Sequence, residues 1–145
     1  MAIDRRHVLA LAGASLPFAC DYGASARKEA ARQRLIGTWL RELNDGSTQL
    51  RRVVVLSADN SFREVAKVAR PDGTVEMESH KGEWFFDGTN IKRKYTHLND
   101  IPLSSSRMTF ATFRLEPSSD DEIVGVDDIR QVKVTDRRVP DCTTP

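Results

Sequence analysis

Residues 44–90 read NDGSTQLRRVVVLSADNSFREVAKVARPDGTVEMESHKGEWFFDGTN, and this stretch decides the fold class. Four turn-forming clusters punctuate it: Asn44-Asp45-Gly46-Ser47, Ser57-Ala58-Asp59-Asn60, Pro71-Asp72-Gly73 and Asp87-Gly88-Thr89-Asn90. Each separates short runs rich in Val, Ile, Thr, Phe, Tyr or Trp, the composition of strands joined by tight turns. No gap between the clusters can house a crossover helix, so the strands are antiparallel neighbours and not β-α-β units.

Working outward, the same texture continues to Val139. It predicts strands at 38–43, 50–57, 62–70, 74–80, 83–86, 91–97, 107–115, 122–126 and 129–138. Two of them alternate cleanly. Val75, Met77 and Ser79 oppose Thr74, Glu76, Glu78 and His80, with His80 read onto the wet face; Ile91, Arg93, Tyr95 and His97 oppose Asn90, Lys92, Lys94 and Thr96. Strands with one wet face must hide the other, and the short connections favour an all-β, antiparallel up-and-down barrel of eight or nine strands over a sandwich. The barrel is expected over residues 37–139, with long connections only at 97–106 and 116–121. Ahead of it, residues 27–36 (RKEAARQRLI) are good helix formers and predict a short lead-in helix ending at Gly37. Residues 140–145 are expected as a mobile C-terminal tail in which Cys142 is a bystander.

The first 26 residues belong to an address and not to the fold. Residues 8–19 (VLALAGASLPFA) are apolar, too short to span a bilayer and suited to the core of an export signal, with Arg5 and Arg6 ahead of them. The order Asp4-Arg5-Arg6-His7-Val8-Leu9 resembles the twin-arginine export motif, departing from it at Asp4 and Ala10. Two exits compete. Ala24-Ser25-Ala26 has the small-x-small pattern of a signal-peptidase site, which leaves Arg27 as the mature N-terminus. Alternatively, Cys20 directly after Ala19 is a lipidation site, with the signal ending before it. Either exit predicts the periplasm or cell envelope, and a membrane is reached only through lipidated Cys20.

The chain of 145 residues holds 22 basic and 21 acidic side chains, so its net charge of +1 carries no signature of a nucleic-acid partner. Its length fits one domain.

The helical lead-in followed by Leu35-Ile36-Gly37-Thr38-Trp39 resembles the opening of lipocalin-like domains. In that family a Gly-x-Trp on the first strand closes the barrel bottom, and an Arg on the last strand lies across the Trp ring. The resemblance implies that Gly37, Trp39 and one of Arg137 and Arg138 form this closure, as a guanidinium stacked on an indole. Adjacent strand residues face opposite sides, so only one of the two arginines can serve.

Unexpected charge sits on the faces expected to be apolar. Arg52 alternates with Leu50, Val54 and Leu56; Arg93 with Ile91 and Tyr95; Arg114 with Met108, Phe110 and Thr112. Arginines lining a cavity need partners, either an anionic ligand group or internal acids such as Glu64. Arg93 and Tyr95 in particular could hold a carboxylate together. The plainer alternative is that these arginines lie near strand ends and reach water.

No acid, base and nucleophile set is visible, so no enzyme is predicted, nor any cofactor. His80 and His97 are too few for a metal site without an unidentified carboxylate, and none is predicted. Two functions remain. The first is an exported binding protein that carries or sequesters a small, largely apolar or amphiphilic, anionic molecule, with Arg93, Tyr95, Arg114 and Arg52 as its ligand-binding residues. The second is an envelope interaction protein, an inhibitor or accessory subunit, with a solid barrel. The interior discriminates them, because a carrier needs a cavity of roughly 300–1,000 Å³.

Overall fold

The computed structural model describes residues 19–107, 109–128 and 131–145, with side chains from Gly23 onward. Of the expected export signal at 1–26, residues 1–18, with Arg5 and Arg6, lie outside the described residues. One helix, α1 (Ala19–Leu35), precedes the strands β1 (Gly37–Asn44), β2 (Gln49–Leu56), β3 (Ser61–Ala69), β4 (Val75–Phe86) and β5 (Asn90–Leu98). A two-residue β6 (Ile101–Pro102) follows, then a short 3-10 turn, β7 (Thr109–Glu116), β8 (Glu122–Asp127) and β9 (Lys133–Val139). Each strand pairs antiparallel with its neighbours, β5 pairs with β4 and β7, and β9 returns to β1, so eight strands close a barrel while β6 hangs from the end of β5. No described helix is long and apolar enough to cross a membrane.

The four turn clusters share one device. In each, an aspartate accepts hydrogen bonds from the main chain two or three residues on: Asp45 from Thr48 (2.7 Å), Asp59 from Ser61 (2.9 Å), Asp72 from Thr74 (2.8 Å) and Asp87 from Asn90 (2.7 Å). These side chains replace a missing backbone partner and fix the reversal locally. The Asn90 and Thr89 amides, with Lys92 alongside, hold the Asp87 carboxyl well below its ordinary range.

Three features depart from the sequence reading. The strands predicted at 74–80 and 83–86 are one strand, because Lys81-Gly82 forms a register shift and not a turn. A Cβ at Gly82 would lie 1.9 Å from the Lys94 carbonyl oxygen, so the glycine serves a close backbone approach. Helix α1 already runs at Ala19, the first described residue, and not only from residue 27, since 19–26 (ACDYGASA) contain no proline to interrupt it. Finally, residues 140–145, expected as a mobile tail, fold back on the barrel: Thr38 donates to Asp141 (2.8 Å) and Arg51 to the Thr144 carbonyl (3.3 Å). Between these anchors lie Leu40 and Val53, which point outward yet are buried. Cys142 is exposed on this segment.

The barrel bottom is built around Trp39, which is 2% exposed and donates from Nε1 to the Leu35 carbonyl at the end of α1 (2.8 Å). Arg138, opposite Trp39 in register, lies over the indole at 4.3 Å. Its guanidinium fans out to the carbonyls of Arg34 (2.5 Å), Ile36 (3.0 Å) and Asp120 (3.1 Å), tying α1 and the β7–β8 connection to the last strand. Gly37 is required twice over: its φ is +143°, and a Cβ there would lie 2.4 Å from Arg138 Nη1. Arg137 points the other way, to Glu42 on the exposed surface (3.2 Å).

Replacing Arg138 with alanine is therefore expected to cost about 2–3 kcal/mol, since three carbonyls lose a charged donor and the indole loses its cover. Lysine should rescue little, because one ammonium cannot span the fan. Arg137→Ala should stay within about 0.5 kcal/mol. Urea unfolding of the three variants checks this, and equal losses at 137 and 138 would contradict the assignment.

Candidate functional site

Above the Trp39 floor the interior is apolar: Leu56, Phe62, Trp84, Phe86, Ile91 and Ile123 pack into one core. Higher up, it turns ionic. Register pairs Trp39 with Val54, Val54 with Glu64 and Glu64 with His80, so β3 delivers the Glu64 carboxylate to the barrel axis. Its side chain is 3% exposed. Arg93 from β5, itself 4% exposed, forms an ion pair with Glu64 Oε2 and lies over the rings of Phe113 (4.9 Å), Phe62 and Tyr95 (both 5.6 Å). The Tyr95 hydroxyl donates to the same oxygen at 3.4 Å. Arg52 Nε approaches Oε1 at 3.4 Å and His80 Nδ1 at 3.8 Å, and both nitrogens are buried with no hydrogen-bond partner among the described residues.

Electrostatics bind this cluster into one unit. Burial pushes the Glu64 carboxyl up, but the guanidiniums of Arg93 and Arg52, with His80, outweigh it and leave it below the usual carboxylate range. Burial likewise opposes charge on Arg93, and Glu64 reverses that, so its guanidinium is held more firmly protonated than usual. Burial pushes the Tyr95 phenol up, which keeps its proton in place as a donor.

A second pair lies beside the first. Arg41 grips Asp136 through two parallel hydrogen bonds, Nε to Oδ1 at 2.6 Å and Nη2 to Oδ2 at 2.8 Å, and sits 5.4 Å from the Phe113 ring. Neither residue was singled out from the sequence. Both were findable: Arg41 is two residues beyond Trp39 and Asp136 two before Arg138, so strand periodicity places them on the inner face once that closure is accepted.

The expected site residues divide accordingly. Arg93 and Tyr95 face inward together, and Arg52 joins them with 23% of its side chain exposed. Arg114 does not: it lies on the outer face, exposed, because its register partner is Asn90 while inward Ile91 meets Phe113. Phe110, expected to be buried with it, is 62% exposed. His80 reverses in the other direction, from the expected wet face to the inside, because its register partner is the buried Glu64. Cys20 falls within α1.

Arg93 is paired with Glu64 and Arg41 with Asp136, while Arg52 Nε keeps no hydrogen bond among the described residues, and little space is left on the barrel axis. The cavity bounded by Trp39, Arg41, Arg93, Phe113, Gly125 and Asp136 measures about 30 Å³, room on the scale of a water molecule or two. An acyl chain does not fit there. The architecture, a closed eight-stranded antiparallel barrel with a helix before the first strand, is compatible with a lipocalin-like fold. No family model matches the chain, and no curated protein matches it in sequence.

Proposed function

We propose that the protein is an exported interaction protein of the lipocalin-like group, whose barrel is a solid scaffold that engages a partner through its surface. The observation that carries this reading is the packed barrel: its axial cavity holds about 30 Å³, and the hollow of about 210 Å³ at the bottom, between α1 and the β7–β8 connection, is also short of the roughly 300–1,000 Å³ that a carrier needs. Two ion pairs on the barrel axis give the interior a rigid polar filling in place of a ligand. Export rests on Arg5 and Arg6 ahead of the apolar run, with processing before Arg27 or lipidation at Cys20.

One observation favours the carrier instead. Above Arg138 at the floor, three inward guanidiniums, Arg41, Arg52 and Arg93, form their ion pairs with two carboxylates among the described residues, Glu64 and Asp136, so an anionic head group has a charge to answer at the Arg52 end.

Native mass spectrometry of protein from the envelope fraction of its host separates the two. The expected result is an intact mass that starts at Arg27 or carries an acylated Cys20, no bound small molecule, and no saturable binding in a titration with long-chain carboxylates. A stoichiometric apolar ligand would restore the carrier reading, and full-length protein confined to the cytoplasm would remove the export reading.

A further inference from the structure

Strand β4 is longer than its neighbour. Its first partner on β5 is Leu98, opposite His80, so residues 75–78 pair with β3 on one side and with no described strand on the other. The corner is closed by Asn99, whose N–H donates to the Ser79 carbonyl (2.8 Å) and whose Oδ1 accepts from the Ser79 N–H (2.9 Å). Ser79 thus turns its main-chain groups away from β3. In an antiparallel strand this alternates with period two, so Met77 and Val75 do the same while Glu76 and Glu78 bond to β3. The turn below agrees, since the Arg70 N–H donates to the Thr74 carbonyl at 2.9 Å. Hence two N–H and two C=O groups are presented on an open margin.

The side chains along this margin are sorted by face. Val75 and Met77 lie on the outer face and are 53% and 58% exposed, beyond the reach of the barrel core. Glu76 and Glu78 lie on the mouth side, where Glu76 engages Arg70 at 2.6 Å, Arg52, level with Glu78 across Ala66, is turned to Glu64, and Glu78 has no ion pair among the described residues. Lys67 is on the outer face opposite Met77 and does not answer them. Pairing with a second copy is disfavoured by the same charges: antiparallel self-pairing about Glu76 or Met77 sets Glu76 against Glu76 or Glu78.

We propose that the free margin of β4 is a docking edge for an extended segment of a partner protein whose residues alternate apolar and basic. This deepens the interaction reading above by naming the class of partner. Main-chain bonds to Val75 and Met77 supply attachment, apolar side chains cover those two residues, and basic ones meet Glu76 and Glu78.

The test uses a fluorescein-labelled heptapeptide of alternating Lys and Val, with a Glu–Val peptide as its counterpart. Saturable binding of the lysine peptide only is expected, weakened at least tenfold by Met77→Pro and by Glu78→Lys. Proline at 77 removes an N–H that faces solvent and leaves the β3 ladder intact, so the thermal midpoint should barely move. In the unmodified protein, amide exchange at Val75 and Met77 should slow at least tenfold on peptide binding, a readout that stands even if a variant misfolds. Undiminished binding by Met77→Pro, equal binding of both peptides, unchanged exchange, or a dimer that Met77→Pro dissolves would overturn the docking edge. Uptake of a long-chain carboxylate would overturn the interaction reading whatever the peptides do; an empty barrel that ignores both peptides would overturn only the edge.

Discussion

Glu64→Ala is expected to lower stability by about 3–5 kcal/mol at neutral pH, because it strands the Arg93 guanidinium without a counter-charge in the barrel interior. Arg93 is 4% exposed, and Glu64 is the ion-pair partner it has among the described residues. Arg52 and Tyr95 lose a partner in the same step. Urea unfolding measures the loss, and a change below about 1 kcal/mol would mean that water replaces the carboxylate freely. A double variant, Glu64→Leu with Arg93→Met, should recover much of the deficit, since a well-packed apolar pair removes both the charge and its need for a partner.

The effect carries a pH signature. The folded-state pKa of Glu64 lies below its ordinary value of 4.5. A carboxyl depressed on folding contributes stability that is present above its unfolded pKa and is lost as pH falls through the folded one. The gap between wild type and Glu64→Ala should therefore be widest above about pH 5 and close progressively in acid below 4.5. Several surface carboxyls, among them Glu42, Asp59 and Glu76, are depressed as well, so the wild-type curve alone would mix their contributions; the difference between the two proteins isolates Glu64. A gap that widens in acid would show that the sign is wrong.

Trp39→Ala is expected to cost about 3–5 kcal/mol, the range for truncating a large buried aromatic. Three attachments go at once: packing against the core that includes Leu35, Leu56 and Ile123, the Nε1 bond to Leu35, and the ring beneath Arg138. Because Arg138 also holds the Arg34 and Ile36 carbonyls, the end of α1 should loosen along with the floor. Amide exchange at Leu35 and Ile36 reads that loosening separately from global unfolding. Ready quenching of Trp39 fluorescence in a Trp84→Phe background, or a loss under about 1 kcal/mol, would contradict the closure. Trp84 is a fair foil, being equally buried but anchored elsewhere, through Ser57 and beneath Arg32.

Local chemistry was enough for the antiparallel barrel. Four aspartate-centred turns reverse the chain through bonds two or three residues long, and such bonds need nothing from the rest of the fold. The period of two likewise established which residues share a face: Ile91 with Arg93 and Tyr95, and Arg52 with Val54 and Leu56. Which of the two faces turns inward is another matter, because one residue of register exchanges them. Arg114 and His80 show the limit. The alternation around each was read correctly, yet pairing of Ile91 with Phe113 sent Arg114 outside, and pairing with Glu64 drew His80 in. The gap left at Lys81-Gly82 between two predicted strands has a related origin, since the Lys94 carbonyl that demands a glycine there comes from another strand. The match of Arg41 to Asp136 across 95 residues, and the filling of the interior by paired charge, arise only when β9 returns to β1 and the barrel closes, since closure sets the distances between side chains that no local bond connects.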